Sequence, residues 1–312
     1  MNNKKGTVVP IFFAVDDGYC PFLAVAIQSL IENSSEENTY LIKILNTGIS
    51  ERNKAEIEKY QRKNVEIEFV DLGSYIESIK DKLYTRDYYS KTTYFRLFLP
   101  NLYPQFDKVL YLDSDIVILD DIAKLYNTDM EDALVAAAPD DVIRFNEVFQ
   151  IYVEKVVGVA DYHRYFNAGI LLMNLKEMRR IEFQEKFIYS LDRITFAVAQ
   201  DQDYLNRLCK GRVKFLERTW NRMPIQDPSI ATEDVKLVHY NLAFKPWHFE
   251  DILYKEFFWE YAKKTAFFDE IQSIRENYSE EDRRKDNESH DMLVELAKKE
   301  SACVGDDRAF RK

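Results

Sequence analysis

The stretch Val109–Ile118, VLYLDSDIVI, places two aspartates in a run that is otherwise apolar. Its first four residues predict a buried strand. Side chains two apart on an extended chain point to one face, roughly 6 to 7 Å apart, so Asp113 and Asp115 should lie together where this strand ends. Ionised Asp is rarely buried without a partner, because its desolvation is costly. The stretch therefore indicates a cation site, although an isolated Asp-x-Asp is more often a solvated turn.

Strands and helices alternate on both sides of this stretch. The apolar runs that predict strands are VVPIFFAV, YLIKILNTG, VEIEFVDL, ALVAAAP, GILLMNL and VKLVHY. Ser50 is a candidate helix N-cap, and a helix over 88–100 is expected to end at Pro100. The alternation predicts an α/β fold with a mostly parallel central sheet flanked by helices, in which ligands bind beyond the carboxyl ends of the strands.

The composition excludes several classes of protein. The chain has 312 residues, of which 46% are hydrophobic and 14% aromatic, and this indicates a packed globular protein. A net charge of -11 disfavours nucleic acid or an anionic membrane as a partner bound through bulk charge. The chain contains neither a G-x-G-x-x-G motif nor a P-loop. Three widely spaced cysteines indicate neither a disulfide framework nor a zinc site, and they fit a reducing cytoplasm.

The termini and the C-terminal segment are expected to differ from the rest. Pro10 breaks the first apolar run, which is therefore too short for a signal peptide. Elsewhere no stretch approaches the about 18 uncharged apolar residues of a membrane span. From about residue 270 the chain is dense in both charges. We expect a main domain over 1–265 and a charged, helical or partly disordered extension over 266–312. The segment EFFWEYAKKTAFF, 256–268, either packs on the domain or contacts a membrane peripherally.

Six blocks occur in order along the chain: FFAVDDGY, TTYFRLFLP, KVLYLDSDIVI, YFNAGILLMNL, QDQDYLN and HYNLAFKPW. Together they resemble glycosyltransferase family 8, the retaining enzymes related to glycogenin and to bacterial lipopolysaccharide galactosyl- and glucosyltransferases. The resemblance runs from about residue 8 to about residue 249. It implies a GT-A fold with a Rossmann-like sheet. It also implies transfer of a hexose, glucose or galactose, from a UDP-sugar to a glycan or a lipid-linked saccharide.

The resemblance implies that the carboxylates of Asp113 and Asp115 bind a divalent metal together with the imidazole of His239. Oxygen ligands with one imidazole suit Mn2+ better than Mg2+. Lys245 is expected to place its ammonium on the donor diphosphate, where attraction grows as the leaving group gains charge. Outside these blocks, such a histidine would more often be a packed residue and such a lysine a solvated one. Leu242 stands where relatives commonly have Gly, which works against close approach of the backbone to the phosphates.

Other positions in the blocks correspond to contacts with the donor nucleotide. By resemblance, it is held by Ala14, Asp16, Tyr19, Arg96 and Ser114. Asp16 would accept hydrogen bonds from the uracil or the ribose, although the residue alone could equally cap a turn or helix. Arg96 alone would more often be a surface charge. Gly18 replaces an Asn that is common in relatives, so one polar contact to the donor is expected to be missing.

For the sugar, the resemblance assigns the donor hydroxyls to Asp140, Asn167 and Asp201. It places Gln202 on the face of the anomeric carbon opposite the leaving group. A double displacement needs a carboxylate at that face, and an amide is a poor nucleophile. We therefore favour front-face return, in which the departing phosphate oxygen helps to deprotonate the incoming hydroxyl. The neighbouring carboxylates of Asp201 and Asp203 keep double displacement open.

Two other functional classes share some of these features. A metal-dependent nucleotidyltransferase or phosphohydrolase also uses paired aspartates, although two-metal chemistry generally needs further carboxylates around the pair. A non-catalytic sugar-binding relative is expected to have lost metal ligands, and this chain has all three candidates. The sequence leaves the donor sugar, the acceptor and the oligomeric state open.

Overall fold

The protein is described by a computed structural model, which places residues 6–77 and 91–303. The strands are, in chain order, β1 Val8–Ala14, β2 Thr39–Asn46, β3 Val65–Asp71, β4 Lys108–Leu112, β5 Ile116–Ile118, β6 Val135–Ala137, β7 Ile170–Asn174, β8 Val213–Phe215 and β9 Leu237–His239. The α-helices are α1 Cys20–Glu32, α2 Glu51–Glu58, α3 Gly73–Glu77, α4 Leu99–Leu102, α5 Ile122–Tyr126, α6 Asp141–Arg144, α7 Glu147–Tyr152, α8 Leu175–Arg180, α9 Phe183–Leu191, α10 Asp201–Leu208, α11 Lys255–Ala262, α12 Phe268–Asn277 and α13 Glu280–Ala302. The predicted α/β alternation is confirmed.

The chain folds into two compact units. Unit 1 is made of Met1–Ser74, Val109–Asp129 and Glu217–Ser279. Its sheet has the order β3-β2-β1-β4, and the pairs that β1 forms with β2 and β4 are parallel, as is the pair of β2 with β3. The strand β1 is buried at its centre, and α1 buries most of its residues. The mostly parallel character that the sequence predicted is therefore confirmed in this unit.

The stretch Val109–Ile118 forms two strands instead of one. Strand β4 ends at Leu112, and β5 begins at Ile116 and pairs antiparallel with β9 in a separate two-stranded sheet. In this pairing Ile116 lies opposite His239. The two aspartates therefore occupy the turn that follows the carboxyl end of β4, and the pairing of β5 with β9 brings His239 to that turn.

Unit 2 is made of Tyr75–Lys108, Met130–Leu216 and Glu280–Lys312. Its strands have the order β7-β6-β8, and β6 pairs antiparallel with β7 and parallel with β8. The long helix α13 packs on α7, and its buried residues are Leu293 and Ala297. The predicted helical character of the C-terminal extension is confirmed for the described residues.

Two local predictions about helix ends have opposite outcomes. Ser50 caps α2 as predicted, since its side chain accepts a hydrogen bond from the N–H of Asn53. The expectation that Pro100 ends a helix is wrong, because Lys91–Leu97 is a 3-10 helix and Pro100 lies in the first turn of α4. Proline is tolerated there because a first-turn N–H has no intrahelical acceptor. Residues 88–90 of the predicted helix lie outside the described residues.

The aromatic segment 256–268 buries much of its apolar surface. Phe258, Tyr261 and Phe267 are buried. This burial favours the alternative in which the segment packs on unit 1, and contact with a membrane stays a prediction. Among the helices that the structure describes, none has the length and apolar character that crossing a bilayer requires.

Candidate active site

Three side chains converge where β4 and β9 end. The His239 Nε2 atom lies 3.3 Å from Oδ1 of Asp115 and 3.7 Å from Oδ2 of Asp113. One ligand atom from each residue falls within 4.8 Å of the other two. The structure thus brings the three predicted metal ligands together. His239 is buried, while both aspartates keep partial access to solvent, as a site that exchanges ligands requires.

The orientation of His239 is set by Asn221. The Nδ1 atom lies 3.0 Å from the side-chain oxygen of Asn221. Because this oxygen only accepts, Nδ1 carries the hydrogen in the neutral ring, and the Nε2 lone pair faces the two carboxylates. A lone pair aimed at carboxylates is unfavourable unless a cation or a proton lies between them, so this donor set fits a divalent metal. Asn221 lies outside the six blocks, and the sequence contained no signal for this role.

Lys245 forms an ion pair with Asp115 and also donates to the carbonyl oxygen of Tyr240. It is only 5% exposed, so the alternative of a solvated surface lysine is wrong. Burial by itself raises the pKa of the Asp115 carboxyl, but the Lys245 ammonium, together with His239 in its protonated form, outweighs burial and holds that pKa well below its usual range. The carboxylate is therefore ionised and available to a cation throughout the neutral range.

The loop around Lys245 has two further features. Trp247 stacks on Phe22, with ring centroids 3.9 Å apart and an angle of 15° between the planes. Leu242 has φ +61°, in the left-handed region that favours glycine. The backbone at this position therefore has a conformation that glycine adopts without strain, and the Leu242 side chain must accept it.

Four of the five predicted nucleotide contacts lie at the end of β1 or beside the metal ligands, whereas Arg96 belongs to unit 2. Asp16 is exposed, and its Oδ1 accepts a hydrogen bond from the N–H of Tyr19 at 3.1 Å, so it does cap the short 3-10 helix that follows. Asp17 instead accepts hydrogen bonds from the N–H and the hydroxyl of Ser50. Ala14 is half-buried, and Ser114 is buried between the two aspartates. The capping role of Asp16 uses one oxygen atom and leaves the other for a ligand.

In unit 2, Asp140 is the centre of a buried polar cluster. Its Oδ1 accepts from the N–H of Val142 at 2.8 Å, and its Oδ2 accepts from the side-chain amides of Asn167 and Gln202, each at 3.0 Å. Burial raises the pKa of Asp140, and these amides oppose the shift. The amide oxygen of Gln202 accepts from the N–H of Ala168 at 2.8 Å. The structure thus brings three of the predicted sugar-binding residues together.

Arg96 and Asp201 form a buried ion pair in the same unit. The Nε atom of Arg96 lies 2.9 Å from Oδ2 of Asp201, and the side chains are 5% and 3% exposed. Arg96 also donates to the carbonyl oxygen of Ala168. The alternative of a surface arginine is therefore wrong, and the charge of Asp201 is balanced within the unit.

Comparison with known proteins gives one consistent family. The family model for glycosyl transferase family 8 matches residues 10–251. The lipopolysaccharide 1,2-glucosyltransferase of Escherichia coli is 27% identical over 271 residues, which cover 79% of this chain and 75% of that protein.

Solved structures agree with this match. The galactosyltransferase LgtC, in complex with donor and acceptor sugar analogues, superposes with a TM-score of 0.66 at 32% identity, covering 83% of this chain and 96% of that one. The bifunctional glycosyltransferase WbbM superposes with a TM-score of 0.76 at 26% identity over 88% of this chain, which spans 53% of the WbbM chain. The chain therefore has the GT-A fold and belongs to glycosyl transferase family 8.

Proposed function

We propose that the protein is a retaining hexosyltransferase, which moves glucose or galactose from a UDP-sugar to a glycan or a lipid-linked saccharide in the cytoplasm. The observation that carries this proposal is the group of Asp113, Asp115 and His239, whose ligand atoms lie within 4.8 Å of one another. Its two carboxylates and one imidazole suit Mn2+, with Mg2+ as the alternative. The similarity to LgtC, a galactosyltransferase, supports the choice of a hexose donor.

The residues of unit 1 would bind the nucleotide and stabilise its departure. A metal held by the three ligands supplies Lewis-acid stabilisation of the departing diphosphate. Lys245 adds an ammonium whose attraction to the diphosphate increases as the bond to the sugar breaks. Asp16 would accept hydrogen bonds from the uracil or ribose through the oxygen that capping leaves free, framed by Ala14 and Tyr19. Ser114 would contact the donor next to the metal.

A second group of residues would bind the sugar. Asp140, Asn167 and Asp201 would hydrogen-bond its hydroxyls, with Arg96 holding Asp201. In front-face return, the bond from the anomeric carbon to the phosphate oxygen breaks, and the acceptor oxygen bonds to the same face. The departing phosphate oxygen takes the proton of the acceptor hydroxyl, so the configuration is retained.

Three observations support front-face return over double displacement. Asp201 is ion-paired with a buried arginine, and Asp203 is fully buried and accepts hydrogen bonds from three donors. Gln202 offers an amide, which is a poor nucleophile. Neither carboxylate of α10 is thus placed as a free nucleophile.

The test is a panel of nucleotide sugars with Mn2+, in which release of UDP is followed with and without saccharide acceptors. We expect turnover with UDP-glucose or UDP-galactose, its loss with a chelator, and its return with Mn2+. Asp115→Asn should abolish turnover. Asp120→Asn is the matched control, because Asp120 pairs with Lys124 near the surface.

Other outcomes would overturn the proposal. Full activity of Asp115→Asn without metal would refute the proposed metal site. Release of pyrophosphate would indicate a nucleotidyltransferase, and tight binding of UDP without turnover of any nucleotide sugar would indicate a sugar-binding relative. The boundary between a transferase domain over 1–265 and an extension over 266–312 stays a prediction, as does peripheral membrane contact, which co-sedimentation with liposomes would test.

A further inference from the structure

Asp203 is a buried carboxylate that three donors hold in one orientation. It lies in the first turn of α10 and is 0% exposed. Its Oδ1 accepts from the Tyr165 hydroxyl at 2.7 Å, and its Oδ2 accepts from the Tyr152 hydroxyl at 2.8 Å and from the N–H of Ala199 at 3.0 Å. A buried carboxylate with two phenol donors has little freedom to rotate, because each rotation leaves a buried polar group unpaired.

The Tyr165 hydroxyl connects Asp203 to Gln202. Besides donating to Asp203, it accepts from Nε2 of Gln202 at 3.3 Å. The same Nε2 donates to Asp140, and the amide oxygen accepts from the N–H of Ala168. A flipped amide would set its oxygen against the Asp140 carboxylate, so these contacts allow one orientation of Gln202.

The other phenol, Tyr152, belongs to a helix that packs on the C-terminal helix. Tyr152 is the last residue of α7, on which α13 packs through its buried face, where Leu293 and Ala297 lie. Burial and Asp203 raise the pKa of Tyr152 well above its usual value, and Glu300 in the last turn of α13 adds to the rise. The π-helix Val153–Val157, which directly follows Tyr152, also packs on α13, although α13 follows the segment 10–251 that matches the family.

We propose that Tyr152 and Tyr165 are positioning residues for sugar transfer, which hold the Gln202 amide through the buried carboxylate of Asp203, and that α13 keeps Tyr152 in place. The inference rests on the proposed function and extends it to Tyr152 and α13, which lie outside the six blocks. In this proposal, Asp203 orients the Tyr165 hydroxyl that contacts Gln202, and it does not act as a nucleophile. A Gln202 amide that is held less firmly, by Asp140 and Ala168 without Tyr165, would lower the rate of the chemical step, because catalysis depends on fixed geometry around the reacting carbon.

The test compares tyrosine-to-phenylalanine variants that each lose one hydroxyl. For Tyr165→Phe and Tyr152→Phe we expect kcat to fall about tenfold, which corresponds to about 1.4 kcal/mol of lost transition-state stabilisation, with the donor KM unchanged within about twofold. The matched control is Tyr189→Phe, since Tyr189 is 59% exposed on α9 in the same unit. Circular dichroism at the assay temperature shows whether each variant is folded.

A second pair of variants tests the contribution of α13. Leu293→Ala should lower kcat by about threefold with an unchanged donor KM, through a less firmly held Tyr152. Met292→Ala is its control, because Met292 is the preceding residue and is 54% exposed. A lower melting temperature with unchanged kcat for Leu293→Ala would overturn the part of the proposal that concerns α13.

The outcomes separate this inference from the proposed function. Unchanged kcat in folded Tyr152→Phe and Tyr165→Phe, with turnover in the unmodified chain, would overturn the positioning role alone. If Asp203→Asn loses all activity while both tyrosine variants keep an unchanged kcat, Asp203 acts as the nucleophile and the positioning role is refuted. Absence of turnover in the unmodified chain with every nucleotide sugar would overturn the proposed function itself.

Discussion

Replacing Lys245 by methionine is expected to tighten the binding of Mn2+ in the absence of nucleotide. The Lys245 ammonium is buried and pairs with Oδ2 of Asp115, while Oδ1 faces His239, so a metal that binds Asp115 shares the charge of this carboxylate with the ammonium or displaces it from that oxygen. A hydrogen bond to a charged group contributes about 1.5 to 3 kcal/mol. Methionine keeps the length and the apolar stem of the side chain, but it neither competes for this oxygen nor repels the metal.

The magnitude follows from this energy. Since about 1.4 kcal/mol corresponds to a tenfold change in Kd, Lys245→Met should lower the Kd for Mn2+ about 10- to 100-fold. The binding of UDP in the presence of Mn2+ should change in the opposite direction, because the ammonium is lost from the diphosphate. The unpaired carboxylate of Asp115 should also lower the stability of the metal-free protein.

Titration calorimetry with MnCl2 alone, and then with UDP at saturating Mn2+, measures both effects. The control is Lys264→Met, in which a lysine that pairs with Glu32 near the surface of the same unit is lost. An equal or higher Kd for Mn2+ in Lys245→Met would refute the competition between lysine and metal. Absence of Mn2+ binding in the unmodified protein would refute the metal site itself.

Three further changes have expected outcomes. Gly18→Asn has room, because the nearest atom to an added Cβ is Oδ1 of Asp16 at 3.5 Å, and a restored hydrogen bond of about 0.5 to 1.5 kcal/mol should tighten UDP binding in calorimetry. For Leu242→Gly we expect a lower donor KM and little change in melting temperature, since relief of about 1 to 2 kcal/mol of left-handed strain roughly offsets the entropy that glycine gains on unfolding. Burial raises the pKa of Asp203 to about 6, so the folded state binds this proton more tightly than the unfolded chain, and stability is lost as pH rises from about 4 to about 6. Denaturant titrations at pH 4 and pH 7 measure this loss: the free energy of unfolding of the unmodified protein should fall by about 3 kcal/mol through Asp203, and that of Asp203→Asn should lack this fall. If the free energies of unfolding of the two proteins differ by the same amount at both pH values, the prediction is contradicted.

The spacing of apolar residues along the chain predicted much of the fold. Apolar runs of strand length, separated by amphipathic segments, predict most of the strands and the alternation with helices, because burial of one face depends on spacing along the chain. The short strand β8 was not predicted, and the structure divides Val109–Ile118 into β4 and β5. The spacing of Asp113 and Asp115 after such a run predicts their position at the end of β4. Pro100 shows the limit of this reasoning, since a proline marks either the end or the first turn of a helix, and the choice depends on what the segment packs against.

Long-range pairing decided the rest of the candidate site. His239 reaches the aspartates only because β9 pairs with β5, and Asn221 orients its ring from another loop. No local pattern encodes these contacts, since pairing between distant strands is set by the packing of the whole unit. The buried ion pair of Arg96 is likewise visible only in three dimensions, because the same residue in the same local sequence would serve equally well at the surface.

The stretch Val109–Ile118 shows what the sequence and the tertiary structure each determined. By itself, the sequence determined that an apolar strand ends in two carboxylates that need a cation, because strand geometry and the cost of burying charge depend only on neighbouring residues. Only the tertiary structure decided which groups meet those carboxylates: a histidine whose ring an asparagine side chain orients, and a buried lysine that pairs with Asp115.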